Sequence, residues 1–306
     1  MDAVGRGHKF ARGRELLHEI ATTGVRTDLA MTCLGRLYAA GSSCTGGDMS
    51  PPYRECKFWK EKGMHETFRE RDLIAPTKTE LLCGLGCWLL YLSGIPELLR
   101  WLLPLLGFDL GTVKGAGLAQ IAAFVLDFIL ILLVFRKFLW RSVRPLKGNG
   151  RLLFSGIARG LVLYWLLGYL VSLVILLLSA GMEVVADNRN NDTIVTILMN
   201  DTVPMAVSTV VLAPVTEECL VRGVLFAPLC KRKPWVAYLA STVLFGLLHV
   251  VTHYSLKSEL LLMLLSFLQY LPAGIALGWV YQRTRSIWGA IALHMLINSV
   301  AVAAML

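Results

Sequence analysis

Seven runs of mostly apolar residues dominate this 306-residue chain: 81–103, 117–139, 152–180, 203–229, 235–251, 260–281 and 287–306. Each is long enough to cross a hydrocarbon core of ~30 Å. No water is present there to satisfy backbone N–H and C=O groups, so such a run must hydrogen-bond within itself, as a helix. The short alternating segments of a membrane β-barrel are absent. At 56% hydrophobic residues and a mean hydropathy of +0.61, the chain exceeds the ~45–50% apolar content of soluble domains. The expected fold is therefore all-α, a polytopic membrane bundle of about seven transmembrane helices. The first run contains Pro96, Glu97 and Arg100, so its outer end is expected to form a separate interfacial turn.

Residues 1–80 are polar and basic and contain no apolar h-region, so no cleavable signal peptide is expected. Short helical periodicity at 14–20 and 28–39, and a Gly/Ser/Pro-rich stretch at 41–52, suit a small helical element or a disordered arm. Met64, just ahead of the first span, is a candidate alternative start. The domain plan is a cytosolic arm, 1–80, and a membrane domain, 81–306, with its motif core at 200–306.

The charge of +9 is spread in a telling way. Arg and Lys crowd the arm and three loops: Arg136 to Arg151, Lys231 to Lys233, and Arg283 with Arg285. The intervening loops hold few bases. This alternation places the N-terminus and the basic loops in the cytosol and the C-terminus outside. It also removes nucleic acid as a partner, because the basic residues mark membrane orientation rather than one binding face. The seven cysteines (Cys33, Cys44, Cys56, Cys83, Cys87, Cys219 and Cys230) are odd in number and form no disulfide framework, so they read as reduced or buried thiols. Cys83 and Cys87 share a helix face but lack the second pair of a zinc site.

Three polar clusters interrupt the last four spans: Glu217, Glu218 and Arg222; Phe245 and His249; His294 and Asn298. Three charges near the bilayer centre cost roughly 8–10 kcal/mol on insertion scales. The Val, Leu and Phe residues of the same span return about 3–7 kcal/mol. These charges must therefore face the bundle interior, pair, or meet water. Glu218 and Arg222 are four apart and can pair on one face. Counting ~1.5 Å per residue from the basic loops puts Glu217 about 21 Å deep, Glu218 about 20, His249 about 24, His294 about 14 and Asn298 about 20. Five polar residues from three helices thus fall in one slab. A lone membrane histidine or a Glu–Arg pair is often structural; a set at one depth points to a site. Asp127 stands apart as a lone acid, read as the structural partner of a neighbouring helix.

Glu-Glu-x-x-x-Arg, Phe-x-x-x-His and His-x-x-x-Asn, in that order on successive helices, resemble the CPBP (Abi) family of intramembrane proteases, similar to the type II CAAX prenyl endopeptidase. The resemblance covers about residues 200–306. It implies a cavity reached from the cytosolic side. It also implies Glu217, helped by His249, as general base for water, His294 and Asn298 as oxyanion donors, and Glu218 and Arg222 as orienting groups. The residues alone leave open which glutamate is the base. No cofactor is expected; a zinc ion held by Glu217, His249 and His294 is the alternative. His253 has the spacing of a second zinc histidine, but the glutamate of His-Glu-x-x-His is missing.

The expected function is an endopeptidase acting on a membrane-associated peptide or protein, with the bilayer as its other partner. The prenylated CAAX peptide is the namesake substrate, and nothing in the sequence selects it or sets the oligomeric state. A non-catalytic immunity or scaffold protein is the rival reading, and a binding relic has no need of Glu217 with both histidines. A proton-coupled transporter would show inverted halves, and none are seen.

Overall fold

The computed structural model describes residues 73–182 and 186–306. The expectations for the N-terminal arm, its cysteines and its linker lie outside the described residues. Those described form helices and no strand: α1 (Lys78–Leu105), α2 (Val113–Arg141), α3 (Gly150–Met182), α4 (Arg189–Leu198), α5 (202–230), α6 (Pro234–Val250), α7 (Leu260–Thr284) and α8 (Ile287–Met305). The chain is an all-α polytopic membrane bundle. Seven of these helices coincide with the seven apolar runs. Five of them (α1, α2, α3, α7 and α8) are long and apolar enough to cross a membrane on their own. α6 is short, and α5 is charged and irregular. α4 occupies sequence that reads only as an outer loop.

The helix starts follow local chemistry. Thr77 caps α1 in a capping box with Glu80, whose carboxylate also meets Arg141 at 2.6 Å. Thr112, Asn188 and Ser286 accept from backbone N–H groups at the starts of α2, α4 and α8. Contrary to expectation, α1 does not break at Pro96. It widens into a π turn at Leu90–Gly94 and stays helical to Leu105. The same device recurs in α5. π stretches at Ser208–Leu212 and Glu218–Phe226 end two residues before Pro214 and Pro228. A proline removes an N–H and crowds the carbonyl four residues back, and a π turn relieves both. Pro104 and Pro272 are accommodated without one.

The main core lies among α1, α2 and α5–α8 and is filled by Phe135, Phe138, Phe226, Tyr281 and Leu293. Indole N–H groups stitch helices across it: Trp88 donates to Leu220 O at 3.3 Å and Trp288 to Leu139 O at 2.9 Å. α3 lies against α7 through Gly156 and Gly160, its only buried residues. A Cβ on Gly160 would sit 2.1 Å from Val280 Cγ2. Helices approach this closely in a membrane because small residues let the backbones meet. Phe154, Trp165, Leu166 and Tyr169 on α3 are exposed, as lipid contact requires.

Candidate active site

The six polar residues singled out by the sequence converge between α5, α6 and α8. Glu218 and Arg222 are fully buried and pair at 3.1 Å. The same Glu218 oxygen lies 3.0 Å from His294 Nδ1. Arg222 donates to Gly274 O at 3.1 Å, and its guanidinium lies 4.5 Å over the Phe245 ring. Gly274 can offer that carbonyl because α7 passes close to α6; a Cβ there would be 2.7 Å from Thr242 Cγ2. A buried charge is tolerable only when it is paired and hydrogen-bonded, and this cluster largely achieves that.

Glu217 is placed differently. Its Oε2 is buried and accepts no hydrogen bond from the protein. It faces His249 Nε2 at 3.8 Å and His294 Nε2 at 3.9 Å. The other nitrogen of each ring is engaged. His249 Nδ1 lies 2.8 Å from Phe245 O, which can only accept, so that nitrogen carries the proton and Nε2 is left toward Glu217. The Phe-x-x-x-His spacing thus places the ring carrier and its hydrogen-bond partner one helical turn apart. Tyr270 of α7 stacks on His249 at 4.4 Å. Asn298 donates through Nδ2 to Thr209 O at 2.8 Å, leaving its second N–H.

Among the described residues no three His, Cys, Asp or Glu side chains converge to hold a metal ion. Both Nε2–Oε2 spans exceed the ~3.3 Å edge of a tetrahedral site with ligands about 2.0–2.1 Å from zinc. His253 lies beyond the end of α6 and accepts from Arg189 through its backbone carbonyl. A water hydrogen-bonded at ~2.8 Å to two such groups bridges the observed spans.

A cavity of about 630 Å³ opens beside Glu217, His249 and Asn298. It extends past Tyr91 and Asp127 to Leu110, Asn191, His253 and Met305. Those last four residues mark the end of the bundle opposite Lys231–Lys233 and Arg283–Arg285. This corrects one pairing of expectations: the basic loops and the cavity do not share a side. If loop charge sets the orientation, the cavity faces outward and not the cytosol.

Several site residues escaped the sequence. Tyr91, on the π turn of α1, is in electrostatic contact with Glu217. α4 roofs the cavity, and its cap residue Asn188 accepts from Tyr270 Oη at 2.9 Å and donates to Gln269 at 2.8 Å. Arg189 latches α4 to the loop after α6 through Glu259 and the His253 carbonyl, and pairs locally with Asp187. The Arg189 guanidinium, then the Ser255 N–H, hold the Glu259 carboxyl below its usual range. Asp127 is buried, and it makes no hydrogen bond or ion pair with any described residue. It faces the cavity rather than a neighbouring helix.

The comparisons with known proteins agree with the motifs. Residues 198–300 match the family model described as type II CAAX prenyl endopeptidase Rce1-like. The chain is also similar to the "Putative membrane peptidase YdiL" of Bacillus subtilis (strain 168), 24% identical over 200 residues, which are 63% of this chain and 74% of the relative. No solved structure gives a significant match. Residues 198–300 of this all-α membrane protein thus match an Rce1-like domain model.

Proposed function

We propose that the protein is an intramembrane endopeptidase in which Glu217 activates a water against a peptide bond of a membrane-associated substrate. The observation carrying this reading is Glu217 Oε2, buried, accepting no hydrogen bond, and faced by two imidazole Nε2 atoms at 3.8 and 3.9 Å. A water seated there loses a proton to Glu217, with His249 Nε2 as its second acceptor, and attacks the scissile carbonyl. The oxyanion lies toward His294 Nε2–H, available when the ring carries both protons, and toward the second N–H of Asn298. Each such donor contributes about 3–4 kcal/mol to the transition state. Glu217 then returns its proton to the leaving amine. Glu218 and Arg222 fix the His294 ring and the turn of α5 that carries Glu217. The reading is metal-free, supported by the spacing of the three side chains.

With the basic loops in the cytosol, as charge alternation implies, substrate enters from the outer side. Cysteines placed at Asn191 and at Lys231 and labelled with an impermeant maleimide in intact cells report the side directly: labelling at 191 alone supports outward access, and labelling at 231 alone reverses it. The catalytic reading is tested with a library of apolar peptides, farnesylated C-terminal peptides included, analysed by mass spectrometry after incubation with purified protein with and without a zinc chelator. Cleavage that survives chelation supports it, and loss with the chelator moves the chemistry to zinc. A folded protein that cleaves none of the library favours the scaffold reading.

A further inference from the structure

Among the described residues, Asp127 is the one buried acid with no hydrogen bond or ion pair. It lies midway along α2 with its residue 5% exposed, and that exposure faces the cavity. The other buried acids are engaged: Glu80 by Arg141 and Thr77, Glu218 by Arg222 and His294, Glu217 between two histidines. Asp127 has no hydrogen bond or ion pair among the described residues. An acid at mid-bilayer without a partner is expensive and marks a functional position. Its neighbours locate it. Tyr91, Glu217 and Asp127 line the same cavity, and Tyr91 is in electrostatic contact with both acids.

The rest of the cavity limits what can come to it. No lysine or arginine lines it; its acids are Glu217 and Asp127, and its walls mix apolar residues such as Leu99, Phe124 and Val302 with neutral polar ones such as Gln120, Asn191 and Thr252. Such a cavity accepts a largely apolar peptide and holds no lysine or arginine to pair with a carboxylate or phosphate. It offers one unpartnered acid to a cation. A buried carboxyl without a donor is satisfied when an ammonium or guanidinium reaches it, and such charge-assisted hydrogen bonds are the strong ones.

We propose that Asp127 is a specificity determinant that receives a cationic group of an otherwise apolar peptide, next to the bond cleaved at Glu217. The inference rests on the peptidase reading for its meaning, but its test does not require cleavage. Full-length Glu217→Gln protein in nanodiscs is titrated with three fluorescent apolar peptides of one sequence. One carries a lysine and an acetylated N-terminus, one a norleucine and a free N-terminus, and one a norleucine and an acetylated N-terminus. The expected result is that one cationic peptide binds at least about tenfold more tightly than the neutral one, the range of a hydrogen bond to a charged group. The lysine and free-amine arms tell which cation is read. Asp127→Asn, nearly isosteric, erases the preference, and Asp127→Glu keeps it. Equal binding of all three peptides, no binding of any, or a preference that survives Asp127→Asn overturns the proposal. A preference for a cation in a protein that cleaves nothing would leave this inference standing and remove the peptidase reading. Cleavage by wild type without charge preference would do the reverse.

Discussion

α3 and α5 are both membrane helices, yet they follow opposite rules. α3 is long and evenly apolar, and no residue in its most apolar window is buried. α5 is broken by two π stretches, carries three charges, and is buried almost throughout its second half. One helix is stabilised by lipid and the other by its neighbours. The comparison extends to the bundle. The helices that satisfy a hydropathy criterion are α1, α2, α3, α7 and α8. Of the seven helices on apolar runs, the two that fail it, α5 and α6, bring Glu217, Glu218, Arg222 and His249. Chemistry in a bilayer needs polar groups and irregular backbone, and both are tolerated only where protein surrounds them.

The sharpest way to break this contrast is to exchange the effects. Glu217→Gln is expected to lower peptide cleavage by roughly 10³-fold or more, above the midpoint of general-base effects, with the protein still folded. Leu166→Ala on the lipid face of α3 should leave the rate unchanged. Peptide turnover in detergent checks both. If the α3 variant loses activity comparably, the division between scaffold and site fails.

The next effect is on stability. Arg222→Met leaves Glu218 buried without its cation and should cost about 3–5 kcal/mol, the range for breaking a buried pair. Replacing both by leucine should recover most of that loss while leaving the protein inactive, because His294 loses its anchor. Thermal unfolding followed beside activity separates the two outcomes. Gly160→Leu tests a place where α3 packs closely on α7. It forces α3 from Val280 and should lower the melting temperature, whereas the same change at Gly168, where a Cβ meets nothing within 4 Å, should not.

The smallest expected effect lies in the α4 roof. Glu259 is held below its unfolded value by Arg189, so its contribution is present above about pH 4.3 and lost as pH falls through the lower folded value. Amide protection in α4, corrected for the intrinsic pH dependence of exchange, should be high at pH 6 and fall below about pH 4. Glu259→Gln should remove that pH dependence.

Much of this was legible in the residues. Apolar run length identifies seven helices, because the bilayer imposes one secondary structure on any chain inside it. The i, i+4 spacings identify the Glu218–Arg222 pair and the Phe245–His249 unit, since a turn of helix brings those positions together. Other features need the third dimension. Tyr91 and Asn188 carry no motif; each acts through a helix far away in sequence. α4 is too polar and short to signal itself and is held by Arg189. The π turns depend on prolines whose effect is felt upstream. The cavity's side followed neither from charge nor from motif, because it is set by lining residues from several helices far apart in sequence.

The claim most exposed to test is that the adjacent glutamates divide the labour, Glu217 acting on water and Glu218 holding His294 and Arg222. Single-turnover cleavage by Glu217→Gln and Glu218→Gln, each with its melting temperature, addresses it directly. The account predicts that Glu217→Gln loses the chemical step with its stability kept, and that Glu218→Gln loses stability first and activity with it. A stable Glu218→Gln protein without activity, beside a Glu217→Gln protein that still cleaves, would contradict it.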